Sequence, residues 1–278
     1  MDIGQFNALK IIQQQASGVY LDGEALGKLF LPTRMVPENS EIGDAIEVFV
    51  YRSNDDEWVA TTQKPLAQVG EVAWLKVVAV NAGGTFLDWG LPKDLLVPLS
   101  EQSHELELGH YYLVKVLYDP DKGVAASTFI EDYLNYEAFY FKEGQAVSLL
   151  IADTTDLGIK AIINHTHWGL LYKNEVFQSL KKGQKINGYI KHIREDDRRI
   201  DLSLYPPGYA KVEGITGKIL TKLRKNDGFL ALSDKSSPDA IYANFGVSKK
   251  VFKQAIGALY KQHLIIIEEQ GIHLVKEP

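Results

Sequence analysis

The stretch GVYLDG (residues 18–23) reads as a short strand broken by glycine, and GTFLDWG (residues 84–90) repeats it later in the chain. The offset of 66 that carries Gly18 to Gly84 also carries Gly4 to Gly70 and Gly43 to Gly109, and lays LFLP (29–32) on LLVP (95–98). A second offset of 74 carries Gly70 to Gly144, Gly84 to Gly158 and Gly109 to Gly183. Nine glycines in register, flanked by matching apolar runs, define three copies of one unit.

Each copy opens on a β-patterned run: QFNALKII (5–12), EVAWLKVVAV (71–80) and QAVSLLIAD (145–153). A strand with the central glycine follows, then an apolar segment, the third glycine and another period-two run. The copy closes on WVATT (58–62), VAAST (124–128) or RIDLSL (199–204). Five short strands in 65 to 75 residues, with turn signals between them, predict a small β-barrel. Glycine inside a strand marks the bends at which so small a barrel turns its corners.

The last 74 residues change period. ITGKILTKLRKN (215–226) carries a helical apolar stripe, and SPDAIYANFG (237–246) has Ser237 as N-cap and Pro238 at the first helical position. VSKKVFKQAIGALYKQHL (247–264) has Ser248 as N-cap and places Phe252, Ala255, Ile256 and Leu259 on one face. LIIIEEQGIHLV (264–275) reads as a hairpin turning near Gln270-Gly271. Helix, helix, turn, helix, hairpin is the order of a winged helix-turn-helix. Pro206-Pro207-Gly208 reads as the linker before it. The expected fold is three tandem five-stranded β-barrels over 1–64, 65–139 and 140–206, then a winged helix over 207–278.

With 45% hydrophobic and 24% charged residues, the composition is that of an ordinary globular protein. The absence of cysteine excludes disulfides and thiolate chemistry, and no signal peptide or membrane-length apolar run is read; both lead to the expectation of a cytoplasmic protein without a membrane partner. The net charge of −6 is unevenly spread: −12 over 1–140, +2 over 141–204 and +4 over 205–278. Attraction of a polyanion depends on the local field, which places any nucleic-acid grip in the second half of the chain.

KKGQKINGYIKHI (181–193), RRIDLSL (198–204) and Gly169-Leu170 carry a further likeness. They resemble the OB-fold RNA-binding repeat named after the largest protein of the bacterial small ribosomal subunit. That resemblance implies a ligand face with an aromatic, a histidine and a basic position. Laid on the motif, the aromatic place is held by Tyr20, Phe86 and Lys160 in the three copies, and the histidine place by Pro32, Pro98 and Tyr172. The basic place is Gly123 in the second copy and Arg199 in the third, with Lys173, Lys191, His192, Arg194 and Arg198 nearby. Stacking rings and cations are what single-strand binding needs. The third copy is therefore the expected RNA site, with Tyr20 and Phe86 as secondary stacking candidates. The ordinary alternatives stay open: Tyr20 and Phe86 as packing residues, and EDDRR (195–199) as a solvated hairpin tip whose acids neutralise its arginines.

In the winged helix, Lys249, Lys250 and Lys253 are the candidate phosphate contacts, with a solvated helix face as the alternative, while Glu268 and Glu269 at the wing argue against a DNA-type wing. Three such barrels followed by a winged helix resemble the conserved virulence factor B (CvfB) family. The resemblance implies a bacterial RNA-binding regulator acting after transcription on single-stranded RNA, without catalysis. Duplex DNA, or a ribosomal or RNA-processing protein, are the alternative partners. Neither a phosphate-binding loop nor a dinucleotide motif occurs, His165 and His167 lack a third ligand at helical spacing, and arginines interrupt the acids of EDDRRID (195–201). No cofactor or metal is expected.

Overall fold

The computed structural model describes residues 1–275 apart from 122, 174, 177 and 207–209, with the backbone alone for 210–213. The linker residues Pro207 and Gly208 thus lie outside the described residues.

The first unit comprises β1 (Phe6–Gln15), β2 (Gly18–Asp22), β3 (Lys28–Pro32), β4 (Ala45–Arg52) and β5 (Trp58–Thr61). They form a sheet in the order β3-β2-β1-β4-β5, with its two edge strands close together but not hydrogen-bonded into a ring. The second unit, β6 (Val72–Asn81), β7 (Gly84–Asp88), β8 (Leu95–Val97), β9 (Tyr111–Asp119) and β10 (Gly123–Ser127), closes into a barrel. So does the third, β11 (Ala146–Thr154), β12 (Gly158–Ile163), β13 (His167–Tyr172), β14 (Lys185–Ile193) and β15 (Ile200–Ser203).

The glycine register recurs in three dimensions. The first strand of each unit is bulged at one equivalent place, between Ile11 and Gln13, Val77 and Ala79, and Ile151 and Asp153. Just beside it, the N–H of Gly43, Gly109 and Gly183 donates to the carbonyls of Ile11, Val77 and Ile151 at 2.8–2.9 Å. Those three glycines have φ between +82° and +100°, a conformation that L side chains rarely adopt. The repeat spacing is a spacing of corners.

Alternation along the strands then joins barrel to barrel. In β4, Ile46, Val48 and Val50 fill the first core, whereas Phe49 and Tyr51 on the opposite face enter the core of the second unit. There Phe49 meets Trp89 edge-on, with ring centroids 5.6 Å apart. Across the next seam, Val72 packs with Leu150, Ala152, Ile162 and Trp168 of the third barrel. A polar clasp lies beside it: buried Lys115 donates to the carbonyls of Gly70 (2.5 Å) and His165 (3.1 Å), and Val72 N–H donates to His165 Nδ1 at 3.0 Å.

Residues 129–141 connect the second and third barrels and lie along the third. Ile130 and Leu134 enter the seam, Ala138 enters the third core, and Asn135 bridges to His167 beside β13.

The C-terminal unit comprises α1 (Ala210–Lys225), β16 (Phe229–Leu230), α2 (Pro238–Phe245), α3 (Lys249–Lys261), β17 (Ile265–Ile267) and β18 (Ile272–Leu274). Ser237 and Ser248 cap α2 and α3 by accepting from Ala240 N–H (3.2 Å) and Val251 N–H (3.4 Å). Gly246 ends α2 in the left-handed region at φ +69°. Two features differ from the sequence reading. The first helix begins at 210 rather than 215, and β16 adds a third strand to the wing because Phe229 and Leu230 pair with His273 and Ile272. A two-residue strand is too short to show a period.

Candidate nucleic-acid interface

The third barrel carries an open trough of about 400 Å³ between the 129–141 connection and the turn before β15. Tyr136, Leu157, Lys160, Trp168, Arg194 and Arg199 are among its lining residues. Lys160 points outward from β12, with Nζ 3.7 Å from the Trp168 ring centroid and 5.4 Å from that of Tyr136. Glu131 anchors this group, taking Lys160 Nζ at 2.9 Å and the Tyr136 hydroxyl at 2.5 Å. Burial pushes the Glu131 carboxyl up, but the bonds from Tyr136 and Lys160 outweigh it and hold the pKa below the ordinary carboxylate range.

The opposite wall is a second charge network. Arg194 donates to Asp201 through Nε (3.2 Å) and Nη2 (3.0 Å), and also to the Tyr172 hydroxyl at 3.0 Å. Hydrogen bonds donated to buried Asp201 raise the Arg194 pKa, keeping its charge fixed. Arg199 is more open: its side chain is 58% exposed, pairs with Asp197 at 3.3 Å, and holds its guanidinium 5.7 Å from the Tyr136 ring centroid. The exposed Tyr136 ring and the Arg199 guanidinium thus meet at one trough that buried Trp168 lines from beneath Lys160, with carboxylates behind.

The candidate residues divide by position. Lys160, Arg194 and Arg199 come together in the trough, with half-buried Tyr172 one hydrogen bond behind through Arg194. Lys173 is exposed without an ion pair among the described residues. Lys191 pairs with Glu175, and His192 Nδ1 lies 2.6 Å from Glu143. Arg198 turns to the connection, donating to the Ala138 carbonyl at 2.9 Å and lying 5.3 Å from the Phe139 ring. Tyr20 is half-buried against Phe30, with Lys28 above it, and Phe86 is half-buried on β7 opposite Leu96.

At the start of α3, Lys249 and Lys250 have no acidic partner among the described residues, while Lys253 lies 3.8 Å from Asp234. The wing acids are also paired, Glu269 with Lys235 at 2.5 Å and Glu268 with His273 at 3.4 Å.

Sequence reasoning missed Tyr136 and Trp168. Tyr136 belongs to the irregular connection, where no periodicity marks a face, and Trp168 lies one residue before the Gly169-Leu170 motif. Asp197 and Asp201 do pair with arginines, as the hairpin alternative has it, yet Arg199 still faces the trough. His165 and His167 go to different neighbours, His165 to Val72 and His167 edge-on to Phe141 at 4.9 Å. Among the described residues no group of three His, Cys, Asp or Glu is placed to hold a metal ion, and no helix is long and apolar enough to cross a membrane.

Comparison with known proteins agrees with the module order. Residues 217–274 match the CvfB-like winged helix domain, and residues 3–63 match the S1 domain. The S1 match falls on the first copy, whose histidine place is held by Pro32, so likeness of architecture and equipment of the face are separate matters here. Conserved virulence factor B of Staphylococcus epidermidis (strain RP62A) is 27% identical over 99% of this chain and 95% of its own. The YitL protein of Bacillus subtilis (strain 168) is 29% identical over 93% of this chain and 89% of its own. A crystal structure from Streptococcus pneumoniae TIGR4, described as a multidomain protein with nucleic acid binding domains, is 25% identical, covers 98% of each chain and superposes with a TM-score of 0.41. The chain is thus similar to conserved virulence factor B along nearly its whole length, with a match to the S1 domain at residues 3–63 and to the CvfB-like winged helix domain at residues 217–274.

Proposed function

We infer that this is a non-catalytic RNA-binding protein that holds single-stranded RNA in the trough of the third barrel, with the lysines of α3 as further phosphate contacts and a post-transcriptional regulatory role. The observation that carries this reading is the meeting of the exposed Tyr136 ring and the Arg199 guanidinium at one open trough. Rings accept bases of any sequence, and a guanidinium serves both stacking and phosphate contact. The working modules are 1–64, 65–139, 140–206 and 207–278, with the 129–141 connection supplying part of the third site.

Support also comes from the CvfB and S1 likenesses and from the basic shift after residue 140. The direct experiment is competition at low salt between a single-stranded 20-nucleotide RNA and duplex DNA for the full chain. RNA is expected to displace the duplex, with affinity falling steeply as salt rises. A preference for duplex DNA would favour the alternative of a DNA-binding regulator acting through α3, for which Lys249 and Lys250, without an acidic partner among the described residues, are the specific observation. Failure to bind either nucleic acid would favour a protein-interaction scaffold.

A further inference from the structure

We propose that the seam between the second and third barrels carries a second nucleobase-stacking platform, built on Trp74 and Tyr111, which extends the bound strand beyond the third-barrel trough. This rests on the reading of the trough as a single-strand site and names where that strand continues.

The platform follows from alternation on β6 and β9. Val72, Trp74 and Lys76 share the outer face of β6, and Leu113 and Tyr111 stand opposite Trp74 and Lys76 on β9. The pairs grade from closed to open. Val72 and Leu113 pack into the seam with the third barrel. Trp74 comes next, against Gly183, where an added Cβ would lie 2.1 Å from the Trp74 ring. Beyond it Tyr111 is 48% exposed, and the two rings stack with centroids 6.1 Å apart and planes inclined by 21°. One face of Tyr111 is therefore supported while half the residue meets solvent, the arrangement a base needs to continue a stack.

Charge distinguishes this platform from the trough. Lys160, Arg194 and Arg199 each pair with a carboxylate, but Lys182 and Lys76 have no acidic partner among the described residues. Lys182 Nζ lies 5.1 Å from the Trp74 ring. Asp153 and Glu131 are the acids of this groove, and Glu131 is occupied by Lys160. A phosphate would here meet cations whose charge is not already offset.

The two places are also continuous. The seam groove of about 360 Å³, lined by Trp74, Tyr111 and Lys182, shares Lys160 and Trp168 with the trough. The motif positions of the second barrel, Phe86, Pro98 and Gly123, are not among the residues lining this groove, so they do not report on it.

The test is fluorescence anisotropy of a labelled 20-nucleotide oligouridylate with the full chain, its Tyr111→Ala and Tyr111→Phe variants, and Lys182→Glu. Tyr111→Ala and Lys182→Glu are expected to weaken binding about tenfold, the effect of losing one stacked base or turning a phosphate contact repulsive, while Tyr111→Phe stays within about twofold. Tyr111 is an exposed residue, so thermal melting should be unchanged. Wild-type affinity in both Tyr111→Ala and Lys182→Glu overturns the platform and leaves the trough reading intact. No binding by the unaltered protein overturns both.

Discussion

Tyr136 shows how one residue acquires a role that its neighbours in sequence do not announce. Its hydroxyl is fixed by Glu131 at 2.5 Å and Lys160 at 3.2 Å, so its ring is held in place before any ligand arrives. Tyr136→Ala should therefore weaken single-stranded RNA binding by about 1–3 kcal/mol, measured by anisotropy, with little change in melting temperature because the residue is exposed. Arg199→Ala should lower the slope of log affinity against log salt by about one unit if its guanidinium meets a phosphate. Tyr172 is a different case. The motif places it on the binding face, but its hydroxyl is engaged by Arg194 and lies 3.4 Å from Asp201. Its loss should act partly through the orientation of Arg194, and Tyr172→Phe should separate that effect from stacking: a ring that stacks survives the change, a ring that only orients Arg194 does not.

At the scale of elements, the helix caps and the connection between barrels make contrasting demands. Ser248 and Ser237 are the expected N-caps in the sequence and cap α3 and α2 in the structure, so Ser248→Ala should cost about 0.5–2 kcal/mol of winged-helix stability in a denaturant titration. The connection 129–141 had no such local signal. Ala138 is 1% exposed within the third core, and Ile130 and Leu134 close the seam. A fragment cut at residue 141 therefore loses apolar cover that a fragment cut at residue 128 retains. At about 1.5–3 kcal/mol for each large buried side chain, the shorter fragment should melt lower, a difference that differential scanning calorimetry resolves. If the two melt together, the connection is not part of the third unit's core.

For the whole molecule, the seams decide whether the barrels move together. His165 joins the second seam, its Nδ1 lying 3.0 Å from the Val72 nitrogen and 3.1 Å from the Val72 carbonyl oxygen. Burial lowers its pKa below the ordinary histidine value; Glu71 opposes this, while Lys185 and Lys115 add to it. His167 is lowered as well, chiefly by burial. The unfolded chain thus binds protons more readily than the folded one just below the ordinary histidine pKa. Stability is full above that pKa and is lost as pH falls toward the depressed folded values. Melting temperature should drop between pH 8 and pH 5.5, and less so in His165→Asn. Gly183 is the steric counterpart. With φ +82° and Trp74 at its Cα, Gly183→Ala should cost about 2–4 kcal/mol by combining backbone strain with overpacking, and a thermal melt would show it.

The barrels were legible in the sequence because their signals lie along the chain itself: strand-interior glycines and period-two runs are local, and the offsets of 66 and 74 repeat them. The winged helix was legible for the same reason, through Ser237, Ser248 and the stripe on α3. The candidate site was legible only where the motif reaches, at Lys160, Arg194 and Arg199. Which cations are offset by acids, which ring meets Arg199 at the trough, and that Phe49 fills a neighbour's core all depend on contacts between distant segments, such as Glu131 with Lys160, 29 residues apart, and Val72 with His165, 93 apart. Local periodicity carries no information about such pairs, because an outward-facing residue has the same pattern whether it meets water, a neighbouring barrel or a ligand.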